Sequence, residues 1–318
     1  MTDTYYIGTA VVVMAGWAYA QWTKVPAPPI GERVVIFGAS SGIGKELALQ
    51  YAARGARVLL VARREGLLQK VVVDCLLSPA CKTAGFVAAD ITVEADLTRV
   101  VKTATEVLGG CDTVVINAGI ISVLTFDEVC ALDDGPAADL AAGAKSRTEE
   151  VVEVIFRTNV TAPILIAKHF TPALAETKGK FVVVSSVAGT LGAPTRALYA
   201  ATKHALNGFF NSLRIELGPK GVAVCMCLPG SVATDLRASS AKLAAAPSTS
   251  STAPAGPASP PIKEGKKLTP IDCARQIIQA GDRRARETYM PGKYKIAYLL
   301  HGLFPGFIDG LAAKKYGF

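Results

Sequence analysis

"VVIFGASSGIGKELALQYAARGARVLLVARRE" occupies Val34–Glu65, and the order of its parts decides the fold. An apolar β-type run is followed by Gly38-x-x-x-Gly42-x-Gly44, then by a stretch of helical character, then by a second apolar run. Glycines at such a strand-to-helix turn let the backbone bend tightly and approach a pyrophosphate, which then sits at the positive helix N-terminus. A lone glycine triplet would carry little. The strand before it and the helix and strand after it make it a dinucleotide-binding signature. At the end of the second strand, where a carboxylate would accept ribose hydroxyls, the residue is Ala62, followed by Arg63 and Arg64. Guanidinium forks pair with phosphate, so the expected cofactor is NADP(H) rather than NAD.

Outward from this stretch the same rhythm continues. Val58–Val61, Gly85–Ala89, Thr113–Ile116, Phe181–Val184 and Val222–Leu228 are short apolar runs, with helical stretches such as Gly42–Arg54 and Leu198–Leu217 between them. Continuous apolar strands alternating with helices imply a Rossmann-type α/β fold, a doubly wound parallel sheet covered on both faces. We place one domain over 33–290. Two segments break the pattern. Asp133–Lys145 reads as an insertion, and the Ser/Ala/Pro-rich tract 239–261 is too polar to order itself, with a helical pattern resuming over Leu268–Ala280.

"VVVSSVAGTLGAPTRALYAATKHAL", Val182–Leu206, sets Tyr199 and Lys203 four residues apart on a helix, hence on one face. A phenol beside an ammonium is a proton-transfer pair. A free tyrosine titrates near 10, so proton transfer near pH 7 asks for a lowering of roughly 3, about 4 kcal/mol. Lys203⁺, with a positive oxidised nicotinamide, is expected to supply it. A second Tyr-x-x-x-Lys, Tyr289 to Lys293, contains Pro291-Gly292, which prevents the aligning helix.

These motifs, in this order, resemble the short-chain dehydrogenase/reductase family: GASSGIG at Gly38–Gly44, Asp90, Asn117-Ala118-Gly119, Asn159, Ser186, Tyr199-x-x-x-Lys203 and Pro229–Thr234. The resemblance covers Arg33 to about Asp235 and again Leu268 to Met290. With an amino-terminal anchor it looks most like the membrane-bound branch of 11β-hydroxysteroid dehydrogenases and fatty-acyl ketoreductases. It implies a catalytic set of Asn159, Ser186, Tyr199 and Lys203. Ser186, at the family's spacing before Tyr199, would bind the substrate oxygen with it. Lys203 would also hold the nicotinamide ribose, and Asn159, on the preceding helix, a relay water. Cofactor contacts are implied for Gly38, Ser40, Ser41, Gly42, Ile43, Gly44, Arg63, Arg64, Asp90, Asn117, Gly119, Tyr199, Lys203, Val232 and Thr234. The chain departs from the family at Phe37, where Thr is common, and in the longer Asn117–Asn159 distance. The low-complexity tract also falls where the family has its substrate lid.

The 318 residues carry a net charge of +8, but no basic tract with interleaved aromatics that would suit a nucleic acid. Seven cysteines without CxxC spacing favour a reducing compartment, and His169, His204 and His301 are too scattered for a metal. Thr4–Thr23 is uncharged with aromatics at both ends, which predicts a membrane anchor over 1–24, joined by a linker over 25–32. A signal-peptidase site at Ala18-Tyr19-Ala20 and a buried soluble helix are the competing readings. Lys24 and Arg33 place the main domain on the cytosolic side. With the resemblance, the expected location is the endoplasmic-reticulum membrane. Residues 291–318 are apolar and basic, too short to span, and divided by Pro305-Gly306. They suggest an interfacial helix over Ile296–Phe307, with core packing or a homodimer contact as the competing roles. The expectation is an NADPH-dependent carbonyl reductase of a lipophilic substrate: a steroid, sterol, 3-keto lipid or long-chain ketone. A catalytically silent nucleotide-binding scaffold is the alternative.

Overall fold

The computed structural model describes residues 29–133, 145–236 and 267–318. The expected anchor, the first part of the linker, the low-complexity tract and nearly all of the insertion lie outside the described residues. No helix among the described residues is long and apolar enough to cross a membrane.

Seven parallel strands form one sheet: β1 (Arg33–Phe37), β2 (Arg57–Ala62), β3 (Ala84–Ala88), β4 (Thr113–Ile116), β5 (Lys180–Val184), β6 (Ala223–Pro229) and β7 (Glu287–Met290). Their spatial order is β3-β2-β1-β4-β5-β6-β7. The helices are α1 (Gly42–Ala53), α2 (Glu65–Leu76), α3 (Glu94–Leu108), α4 (Phe126–Cys130), α5 (Arg147–Phe156), α6 (Ala162–Thr177), α7 (Ala197–Leu217), α8 (Pro270–Asp282), α9 (Lys293–Leu303) and α10 (Pro305–Tyr316). Six of the strands lie within about a residue of the expected runs; β7 is additional.

Alternate residues of each strand enter opposite cores. Val35, Phe37, Val114, Phe181 and Val183 pack with α3, α6 and α7 through Leu97, Phe170 and Phe210. Val34, Ile36, Val58, Leu60 and Val182 pack with α1, α2 and α8 through Leu47, Leu68 and Ile277. Both faces being covered explains why the strands are apolar without alternation.

Because β1 pairs with β2 on one side and β4 on the other, the order of strands reverses between β1 and β4. In an open parallel sheet the crevice beyond the carboxyl ends of the strands at such a point is where ligands bind. Gly38 follows β1 there, Asn117 follows β4, and Ser185 and Ser186 follow β5.

The opposite edge of the sheet carries a buried ionic cluster. Glu32, nominally the last linker residue, accepts from Lys180 Nζ at 2.7 Å and Thr113 Oγ1 at 2.6 Å and is ion-paired with Arg54. Arg54 also bonds Asp282 at 2.7 Å. Glu32 therefore belongs to the folded domain.

The carboxyl-terminal segment is two helices, α9 and α10, rather than one over Ile296–Phe307. Phe304 leaves the helical region, and Pro305 can only begin a new helix there because it has no N–H to give the preceding turn.

Candidate active site

One cavity of ≈ 550 Å³ runs along the carboxyl ends of the strands, from Ser40 and Arg64 at one end to Tyr316 at the other. Its nucleotide-facing half is built on close backbone approach. A Cβ at Gly44 would lie 2.0 Å from the Gly38 carbonyl oxygen. Gly38 itself, at φ +81°, stands against Ala118, where a Cβ would meet the backbone at 2.7 Å. Asn117 Nδ2 donates to the Gly38 carbonyl at 3.1 Å, so the β4 end clamps the loop from below. Ser41, the residue preceding α1, makes no side-chain capping bond, leaving the first-turn amides for a phosphate. These features fit a dinucleotide.

At the end of β2 the two arginines behave differently. Arg64 donates through Nη2 to Ser40 Oγ at 2.8 Å and Ser41 Oγ at 2.7 Å, whereas Arg63 lines the cavity without such bonds to the loop; both are exposed. Of the two arginines expected to meet a phosphate, the structure puts Arg64 against the loop. Asp90, after β3, lines the cavity while its Oδ1 accepts from Thr92 N at 2.9 Å and Thr92 Oγ1 at 2.8 Å. Ile43, Gly119, Val232 and Thr234 line the same cavity, and a Gly42 Cβ would meet the Thr234 methyl at 3.2 Å. Val232 bridges Leu268, so the chain leaves toward the low-complexity tract and returns from it at one place.

The other half gathers the four residues of the expected catalytic set. Tyr199 and Lys203, on α7, are both buried. The Ser186 hydroxyl stands beside the Tyr199 phenol and acts to lower its pKa; Ser186 Oγ accepts from Ala188 N at 3.1 Å and donates to Pro229 O at 3.5 Å. Its neighbour Ser185 points away, donating to Asn207 Oδ1 at 2.6 Å. An apolar cluster of Ile121, Ile155, Ala188 and Ala200 surrounds Tyr199.

Burial pushes the Tyr199 phenol above its usual 10, and the Ser186 hydroxyl and the Arg196 charge only partly oppose this. The lowering expected from Lys203 is absent in the protein alone. Lys203 Nζ lies 5.7 Å from the Tyr199 ring centroid and donates instead to the Val184 carbonyl at 3.2 Å. Burial brings Lys203 itself down to about 8.

Asn159 is not on a regular helix. It sits in a π-helical turn, Arg157–Thr161, between α5 and α6. Four residues on, Pro163 has no N–H for the Asn159 carbonyl, so the ladder shifts to i→i+5, as in the Ala162 N–H bond to Arg157 O. Its side-chain amide makes three hydrogen bonds: Oδ1 accepts from Ile120 N at 2.9 Å, while Nδ2 donates to Ile120 O at 2.8 Å and Thr202 Oγ1 at 3.1 Å. The amide ties the loop after β4 to α7, with both Nδ2 hydrogens committed.

The family model described as short chain dehydrogenase matches residues 32–244. This chain belongs to the short-chain dehydrogenase family. It is 33% identical over 292 residues to a hydroxysteroid 11-beta-dehydrogenase 1-like protein of Danio rerio, covering 90% of this chain and 88% of the relative. To the protein of the same description in Xenopus tropicalis it is 32% identical, over 96% and 95% of the two chains. A solved short-chain type dehydrogenase/reductase of Mycobacterium marinum superposes with a TM-score of 0.63 at 25% identity, over 82% of this chain and 94% of that one. An alcohol dehydrogenase of Thermococcus sibiricus, solved in complex with 5-hydroxy-NADP, gives 0.63 at 23% and shares the fold. As a short-chain dehydrogenase the chain is an oxidoreductase of alcohols and ketones using a nicotinamide nucleotide.

Among the lining residues outside the family signature are Arg196, Tyr294, Lys315 and Tyr316. Arg196 stands three residues before Tyr199, a spacing visible in the sequence. Tyr294 and Tyr316 come from α9 and α10 and carry no local signal. Among the described residues no group of His, Cys, Asp and Glu could hold a metal.

Proposed function

We propose that this short-chain dehydrogenase is an NADP(H)-dependent reductase of a lipophilic carbonyl compound, such as a steroid, sterol, 3-keto lipid or long-chain ketone, working at a membrane. The observation that carries this reading is the juxtaposition of Ser186 and Tyr199, set in an apolar wall of the cavity that begins at the nucleotide loop.

When bound, the nicotinamide supplies a hydride to the carbonyl carbon. Charge then builds on the carbonyl oxygen, where two hydroxyl donors converge. Tyr199 is protonated at neutral pH and gives its proton to that oxygen, becoming phenolate; Ser186 holds the oxygen in line. Lys203, charged below about 8, stabilises the phenolate across one helical turn. A relay water has the main-chain carbonyl of Asn159 to bind, which Pro163 deprives of its usual donor. Ala62 and the arginines after it favour a 2′-phosphate over free ribose hydroxyls. A silent scaffold would have no use for the hydroxyl pair.

The membrane part rests on α9 and α10, where Ile296, Leu299, Leu303, Phe304, Phe307 and Leu311 are all exposed beside Lys293, Lys295 and Lys314. An apolar face with flanking lysines suits an anionic lipid surface. The domain would lie on the cytosolic side of the endoplasmic-reticulum membrane, held by the segment 1–24.

Nicotinamide absorbance during incubation with a panel of lipid carbonyls tests the chemistry. NADPH consumption by at least one of them is expected; none with any carbonyl would overturn the reading. Carbonate and high-salt fractionation tests the membrane. The full chain is expected in the pellet under both treatments, and its release as a soluble protein would refute the anchor.

A further inference from the structure

The chemistry proposed above leaves three cations of the cavity without a task, Arg196, Lys267 and Lys315, of which Lys267 stands next to the Val232–Leu268 bridge. Arg63 and Arg64 stand by the nucleotide loop, and Lys203 serves Tyr199. Arg196 and Lys315 line the same cavity and flank one ring: Arg196 Cζ lies 5.5 Å and Lys315 Nζ 5.4 Å from the centroid of Tyr316. Neither is ion-paired among the described residues.

Arg196 is held in place from its backbone. Thr195, just before it, is a β-branched residue at φ +64°, a conformation that persists only where the surroundings impose it. Arg196 N donates to Ala193 O at 3.1 Å, and Arg196 bridges Leu124. Its guanidinium donates from Nη1 to the Tyr316 hydroxyl at 3.2 Å. Nε is buried with no acceptor. A latch for α10 would need only the Nη1 bond. Nη2 makes no hydrogen bond among the described residues and is not among the buried atoms, so an oxyanion in the cavity can accept a charge-assisted bond from it. The carboxylates of the lining stand elsewhere: Asp90 is engaged with Thr92, and Asp235 follows Thr234 at the nucleotide loop.

We propose that Arg196 and Lys315 form an anion-recognising end of the substrate cavity, so that the lipophilic substrate carries a carboxylate or similar oxyanion apart from its reacting carbonyl. The apolar cluster around Tyr199 takes the body of the molecule and the two cations take its charged end. This rests on the proposed reductase reading only in naming the ligand a substrate; the anion site itself is tested by binding.

The test is calorimetric titration of the full chain, saturated with NADPH, with decanoate and with decanamide, which differ in charge and little in shape. Decanoate is expected to bind about ten-fold or more tightly, and the gap to narrow between roughly 50 and 300 mM salt. Arg196→Gln should bring the two ligands within about two-fold, Lys315→Gln should reduce the preference about three-fold, and Lys314→Gln should leave it unchanged. Lys315 is exposed, so its variant reports even where Arg196→Gln fails to fold. Equal affinities in the unmutated protein, a preference that survives in folded Arg196→Gln, or one undiminished in Lys315→Gln, would overturn the proposal. A protein that reduces no carbonyl yet prefers decanoate through Arg196 would refute the reductase reading and leave the anion site standing.

Discussion

Tyr199 and Lys203 share one face of α7, yet the lysine Nζ stands 5.7 Å from the phenol ring and gives its hydrogen bond to Val184 on the neighbouring strand. The two groups therefore titrate in opposite directions under the same burial. The phenol stays protonated, ready to donate; the ammonium becomes easier to discharge.

Tyr199→Phe removes the transferable proton and keeps the ring. Turnover should fall by about 10²–10⁴-fold while nucleotide affinity changes by less than about two-fold. Ser186→Ala, which removes one of two donors to the developing oxyanion, should cost about 10²–10³ in kcat. Tyr289→Phe, on β7, should leave kcat unaltered. Steady-state kinetics with direct nucleotide titration would show all three, and undiminished turnover in Tyr199→Phe would mean that another group supplies the proton.

Lys203 gives a signed pH effect on stability. Its folded value, about 8, lies below the ordinary 10.5, so burial of the charge is a penalty fully present below 8 and relieved as pH rises toward 10.5. Denaturant unfolding of the nucleotide-free protein at pH 7 and pH 9, each compared with Lys203→Met, should show the wild type gaining about 1 kcal/mol relative to the variant at the higher pH. A difference of the opposite sign would show that the ammonium is not the group being buried.

Cofactor choice is expected to depend on both arginines after Ala62. NADPH should bind more tightly than NADH, and Arg63→Ala and Arg64→Ala should each narrow the gap by about ten-fold. Arg64→Ala also frees the Ser40 and Ser41 hydroxyls it now binds, so it should alter affinity for both nucleotides. Equal affinities in the unmutated protein would refute the NADP reading.

Glu32 supplies the fourth test. Burial pushes its carboxyl up, but Lys180 and Arg54 outweigh this and hold it below the ordinary 4.5. Its contribution to stability is thus present above 4.5 and is lost as pH falls through the lowered folded value. Glu32→Gln should cost about 3–5 kcal/mol at pH 7, because it strands Lys180 and leaves Arg54 with Asp282 alone, and adding Lys180→Met should recover part of the loss. Chemical unfolding at pH 7 and below pH 4 would check both, the penalty shrinking in acid.

Much of the fold was readable because its signals are local. The strands β1, β2, β4, β5 and β6 are continuous apolar runs, and the glycines from Gly38 to Gly44 answer to one turn. β7 was not, since Glu287-Thr288-Tyr289-Met290 is a short polar-apolar mixture that becomes a strand by pairing with β6. Ser186 and Tyr199 could be named from spacing, but the engagement of the Asn159 amide could not, because its partners Ile120 and Thr202 are set by tertiary packing. Pro163, four residues after Asn159, was the available sign of an irregular helix there. The meeting of Arg196 with Tyr316 joins residues 120 positions apart and has no sequence signature.

The ionic cluster under the sheet spans the whole chain. Arg54, near the start, pairs with Asp282, 228 residues later at the end of α8. Synthesis proceeds from the amino terminus, so β1 through β6 are available long before this partner exists. Until α8 is made, Arg54 lacks one of its two carboxylates, α1 lacks the helix that covers it, and β6 is an open edge in want of β7. The domain closes on its first strands and helices only once α8 and β7 have been made. A nascent chain stopped short of Asp282 would expose both an unpaired strand and an undercompensated charge, features by which the cell's quality control distinguishes an unfinished protein from a finished one.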